Sequence, residues 1–178
     1  MSADEAQELR ENAEKAREDR SLAAVSLTMA VLAVLVAVVS LLGHRAHTEE
    51  VVLQALSSDQ WSYYQAKNIR EHEDDLFVAS NNSGASAEVR EKYAQEAERY
   101  KKEKDDIQEK ARGLEREVSI ERARADRYDL AEVFLEIGLV ITSITLLSGK
   151  RIFWYLGIGL TVVGVVVAVL GAMVHMMR

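Results

Sequence analysis

Two glutamates, Glu132 and Glu136, stand one helical turn apart within an otherwise apolar stretch, residues 130–148. An ionisable side chain at the centre of a bilayer costs about 2.5–3.5 kcal/mol on insertion scales, so such carboxylates pair with a cation or line an ion path. Two chemistries follow. His44 and Arg45 close the preceding apolar run, and an ion pair between them and Glu132 would orient the helices at the membrane edge. Alternatively, Glu136 from several copies would form a carboxylate ring that attracts cations, as in a cation or proton channel.

The remaining reactive side chains make no catalytic group. Trp61, Tyr63, Tyr64 and Gln65 form a polar-aromatic patch, a candidate for helix packing or for contact with a protein partner. Glu71, His72, Glu73, Asp74 and Asp75 are consecutive, and consecutive helical positions point in different directions, so they read as a solvated face rather than a cation site. His44 and His47 are three apart, yet the chain holds no Glu-x-x-His pair of the kind that di-iron bundles use. There is no glycine-rich phosphate loop and no nucleophile with a base beside it. The expectation is a protein that is not an enzyme and uses no cofactor and no metal.

The elements that must position these residues are helical. The 178 residues contain no proline and no cysteine, which removes the strongest helix breaker and excludes disulfides and thiolate metal sites. The net charge of -7 is spread over faces of mixed sign, so nucleic-acid binding has no footprint. Residues 21–43 and 152–174 are charge-free runs of about 34 Å as helices, enough to cross a hydrocarbon core of about 30 Å. From Tyr93 the positions Ala97, Tyr100, Lys104, Ile107, Ala111, Leu114, Val118, Glu121, Ala125, Tyr128 and Glu132 alternate by four and three, a coiled-coil seam that leads into the second apolar run.

The fold class read from this pattern is an all-α membrane protein with three transmembrane helices and a long antiparallel coiled-coil hairpin between the first and second. Residues 1–20 form a polar amphipathic helix, 21–43 the first span, 44–129 the hairpin with its turn at 81–86, 130–148 the second span and 151–175 the third. On the outgoing arm, Val52, Leu56, Tyr63, Ala66 and Phe77 are predicted as the seam that meets the return arm. Ser83 or Ser86 caps the return helix.

Each span offers a face of small residues for close helix packing: Ser26, Ala30, Ala33, Ala37 and Ser40 in the first, Gly138, Thr142 and Thr145 in the second, and Gly157, Thr161, Gly164, Ala168 and Gly171 in the third. Three such faces predict a tight bundle containing more than one copy of the chain, a homo-oligomeric scaffold in contact with membrane lipid. Lys150 and Arg151 open the third span, followed by Trp154 and Tyr155 at headgroup depth. The short-loop charge rule favours a cytoplasmic amino terminus.

The block Ser57, Ser58, Asp59, Gln60, Trp61, Ser62, Tyr63, Tyr64, Gln65, Ala66, Lys67, Asn68, Ile69 and Arg70, about fifteen residues after the first apolar run, resembles a bacterial membrane family that carries the domain of unknown function numbered 4337. The likeness extends over nearly the whole chain. It implies an integral protein of the bacterial inner membrane and assigns no catalytic or binding residue.

Overall fold

The computed structural model describes the backbone of residues 3–80, 84 and 86–176, and the side chains of residues 22–80, 84 and 86–174. These residues form three helices and no strand: α1 (Ala3–Ala79), α2 (Ala87–Ser148) and α3 (Arg151–Met176). With no proline and with alanine, leucine, glutamate, lysine and arginine throughout, nothing interrupts the backbone ladder, and α1 runs unbroken for 77 residues. The predicted turn at 81–86 lies largely outside the described residues, at 81–83 and 85, with Gly84 in a turn. Ser86 caps α2: its Oγ accepts from the Val89 amide at 3.3 Å and its carbonyl from the Arg90 amide at 3.2 Å. Glu88 places negative charge in the first turn.

The other helix end turns on a glycine. The Gly149 amide donates the last helical bond, to the Thr145 carbonyl at 2.9 Å, and its left-handed φ of 69° then turns the chain out of α2. The Ser148 hydroxyl accepts from the Lys150 amide at 3.3 Å, and α3 begins at the next residue.

The chain divides into two compact units, residues 1–46 with 123–178 and residues 47–122. In the first, the core gathers Leu32, Val39 and Ala46 of α1, each seven residues from the next, against Ala125, Tyr128, Ala131 and Leu135 of α2, with Val167 and Ala168 of α3 packed alongside. At one end Trp154 Nε1 donates to Thr28 Oγ1 at 3.3 Å. At the other, Arg127 Nη1 donates to the Leu170 carbonyl at 3.0 Å.

The small faces of α2 and α3 meet inside this unit. A side chain at Gly157 would collide with the Thr142 hydroxyl and meet the Gly138 carbonyl at 2.8 Å. At Gly164 it would meet Leu135 Cγ at 2.9 Å and the Ala131 carbonyl at 3.0 Å; at Gly171, Arg127 Cβ at 3.3 Å. Thr142 and Thr161 return their hydroxyls to the carbonyls one turn back, at 2.7 and 2.8 Å, so the contact line keeps no unsatisfied hydroxyl at these two positions. The small face of α1 behaves differently. Ala30, Ala33 and Ala37 are exposed, because α1 packs through its bulkier heptad line, which removes more apolar surface from solvent.

In the second unit, α1 and α2 pair in antiparallel register: Glu50 meets Arg122, Trp61 meets Glu115, Lys67 meets Glu103 and Phe77 meets Tyr93. Every position of the seam read from Tyr93 to Glu132 is buried or half-buried. The seam expected on α1 is not the one used. Val52, Leu56, Tyr63 and Ala66 are exposed, and only Phe77 of that set packs inward. The inward line is polar, with Ser57 buried and Gln60, Tyr64, Lys67, Glu71 and Asp74 half-buried. Its partner presents Tyr100 and Lys104, which call for acceptors and aromatic faces instead of aliphatic side chains.

Two glycines of α3 provide a matched test of the close approach. Gly157→Ala should destabilise the purified protein by about 1–3 kcal/mol through overpacking against backbone, whereas Gly159→Ala, whose added carbon meets nothing within 4 Å, should leave it within about 0.5 kcal/mol. Denaturation in detergent reads both, and equal losses would remove the close-approach account.

Candidate functional site

The most elaborate side-chain arrangement lies in the second unit, where one run of α1 presents Trp61, Tyr63, Tyr64, Gln65, Lys67 and Asn68. A helix sets residues three and four apart on one face, so Trp61, Tyr64, Lys67 and Asn68 turn together toward α2. Trp61 Nε1 donates to Glu115 Oε1 at 2.8 Å, and its ring meets Tyr64 edge to face with centroids 5.6 Å apart. The Lys67 ammonium lies 4.7 Å from the Tyr100 ring centroid and 5.4 Å from that of Tyr63, and it pairs with Glu103 at 2.5 Å. Lys104 reaches back from α2 to donate to Asn68 Oδ1 at 2.7 Å and to pair with Glu71, with the Tyr64 ring centroid at 5.8 Å. Two lysines are thus each held by a carboxylate and at least one aromatic ring. Tyr63 is half outward and Gln65 is exposed.

The hydrogen bond from Lys67 holds the Glu103 carboxyl below its usual range, and the same bond holds the Lys67 ammonium above its own. Asp74, one turn beyond Glu71, is pushed up by burial first and then by Glu96, Glu73 and Asp75. Of the acidic run expected to be solvated, Glu71 and Asp74 turn to the seam, while His72, Glu73 and Asp75 are exposed. Among the described residues, no group of three His, Asp or Glu side chains is placed to hold a metal ion. His47 Nδ1 lies 3.6 Å from Glu50, which also accepts from Arg122 at 2.7 Å.

Glu132 and Glu136 belong to the first unit. Glu132 is half-buried and Glu136 exposed, on the flank of α2 nearest α1 by helical periodicity. His44 and Arg45 are exposed as well. The acid at the end of α1's apolar run is Asp129, one turn before Glu132: a side chain at Gly43 would meet its Oδ1 at 3.4 Å. Sequence reasoning passed over Asp129 because it sits among charged neighbours; it placed Lys104 in the seam of α2 with no partner assigned, and it left Lys67 off the seam of α1 because apolar spacing selected Tyr63 and Ala66. The signal for Lys67 was Tyr63 four residues before it, a pairing the helix keeps, whereas the Tyr100 and Tyr64 rings reach Lys67 and Lys104 from the opposite helix and left no local spacing to read.

The family model described as Domain of unknown function (DUF4337) matches residues 21–174, and the chain belongs to that family. No curated protein and no solved structure matches it.

The opposed shifts in the arm have opposite signs in stability. Glu103 contributes stability that is complete above the usual carboxylate range and is lost as pH falls through its lowered value. Lys67 contributes stability that is complete below its usual range and is lost as pH rises through its raised value. Asp74 favours the folded arm at low pH, and that contribution is lost as pH rises through its raised value. Asp74→Asn should therefore raise the denaturant midpoint at pH 7, with the gain vanishing in acid. Lys67→Met should lower it, with a smaller loss in acid. Trp61 fluorescence in a Trp154→Phe background follows both, and an Asp74→Asn midpoint that falls at pH 7 would contradict the assigned environment.

Proposed function

We propose that this member of the DUF4337 family is a membrane-embedded structural protein that assembles with copies of itself and carries its paired coiled-coil segment, residues 44–129, as a scaffold arm. The observation that carries the reading is the lysine-tyrosine arrangement: Trp61, Tyr64 and Lys67, the side chains with chemistry in them, are all engaged in holding α1 to α2. Three helices are long and apolar enough to cross a membrane. Arg127 with Leu170 at one end and Thr28 with Trp154 at the other bracket sixteen residues of α3, about 24 Å, with a guanidinium and an indole where headgroups would lie. The proposed location is the bacterial inner membrane with a cytoplasmic amino terminus, which brings Lys150 and Arg151 to the same side.

Self-association is supported by the flank of α1 that its own chain leaves outward. Ala30, Ala33 and Ala37 permit a second helix to approach closely, where packing supplies the attraction that lipid does not. Particle mass in nanodiscs should correspond to more than one copy, and Ala33→Leu should shift it toward the single chain without lowering the denaturation midpoint of that chain. A single-copy particle at every concentration overturns the proposal.

Glu136 favours a second reading, an oligomeric cation or proton channel. It lies nine residues from Arg127, about 13 Å into a span, and is exposed on the α1 flank of α2, so a neighbouring copy would have to enclose it. Cation flux into liposomes should then exceed that of empty liposomes and fall in Glu136→Gln. No flux across a range of voltage removes this reading, and equal flux in the variant moves the path away from Glu136.

A further inference from the structure

The displaced seam of α1 has a partner that the chain can supply. Directly opposite the polar inward line, Val52, Ala55, Ala66, Ile69 and Leu76 follow one another at spacings compatible with a single helical stripe, and all are exposed; Val52, Ile69 and Leu76 keep 53%, 58% and 55% of their surface. The corresponding outer face of α2 is polar. A stripe of exposed apolar residues on a helix outside the apolar runs, even one broken by charges, marks a contact surface.

Charge decides what fits it. The stripe is interrupted by Asp59 and Glu73 and flanked by Arg70. If two α1 helices met in parallel, as copies in one membrane must present them, Asp59 would oppose Asp59 and Glu73 would oppose Glu73, which is unfavourable. The outer face of α2 offers the complement. It carries Lys102, Arg112 and Arg116 among the acids Glu98, Asp105 and Glu109, all exposed, with Lys102 3.8 Å from Glu98, and a surface groove there is lined by α2 alone, Asp105, Glu109, Arg112 and Arg116 among its walls. Heights match too. The pairings of Trp61 with Glu115, Asn68 with Lys104 and Phe77 with Tyr93 put Asp59 within a turn of Arg112 and Arg116, Arg70 within a turn of Asp105, and Glu73 within a turn of Lys102. Copies related by rotation about the membrane normal keep every residue at its own height, so the same levels hold between neighbours.

We propose that the outer stripe of α1 docks on the outer face of α2 of a second copy, head to tail, so that α1 and α2 alternate around a closed ring. This rests on the self-association proposed above. A heterologous contact of this kind uses two different surfaces of each chain and closes only if the rotation does.

The chain has no cysteine, which makes directed cross-linking clean. Ala66→Cys and Glu109→Cys, made in separate copies and reconstituted together at equal amounts, should give a covalent two-chain product on oxidation, while Ala66→Cys alone should give several-fold less. Glu73→Lys should reduce the mixed product several-fold, and adding Lys102→Glu should restore it. A product from Ala66→Cys alone that equals the mixed yield means α1 meets α1 and overturns the head-to-tail contact. A particle of several copies with no product in either case also overturns it while leaving self-association standing, whereas a single-copy particle removes both.

Discussion

An unbroken backbone ladder is the constraint on which everything else here depends. When a helix runs 77 residues without proline or a strained residue, chain direction offers no way to choose partners, and only the rotation of each side chain about the helix axis does so. In the first unit, α1 presents a heptad line of leucine and valine to α2 and α3. In the second it presents a polar line. The same helix therefore works by two different physical principles along its length: burial of apolar area in one and satisfaction of charged hydrogen-bond donors in the other.

The polar line explains why the aromatic-lysine block has the composition it does. A half-buried lysine is tolerated only where a carboxylate or a ring face meets it, and Lys67 and Lys104 each find both. Sliding the helices by one heptad would separate these ammonium groups from their acceptors, a loss that aliphatic side chains of similar size would not impose. Register is thus written in a handful of positions instead of in total buried area.

How much of this was legible depended on which physics governed each helix. The seam of α2 from Tyr93 to Glu132 was readable because alanine, isoleucine and valine alternate with charges at regular spacing, and Ala97, Ile107, Ala111, Val118, Ala125 and Tyr128 are all buried. The seam of α1 was not, because periodicity of hydrophobicity picks out Val52, Leu56 and Tyr63, and the helix turns those outward. Among the candidate residues, Gly157, Gly164 and Gly171 lie against α2, while Ala30, Ala33 and Ala37 of the same kind of pattern are exposed. A small-residue face says that a backbone can come near; it does not say which one.

The left-handed glycine between α2 and α3 bears on the order in which the chain comes together. With the reversal confined to Ser148, Gly149 and Lys150, Gly138 and Gly157 are close neighbours in sequence, whereas Thr28 and Trp154 are 126 residues apart. Closing the short connection sacrifices far less chain entropy than closing the long one. α2 is thus the common partner: it closes on α3 across Gly149 and on α1 across the short connection that brings Phe77 to Tyr93, and the distant contact of Thr28 with Trp154 follows from these two nearby closures.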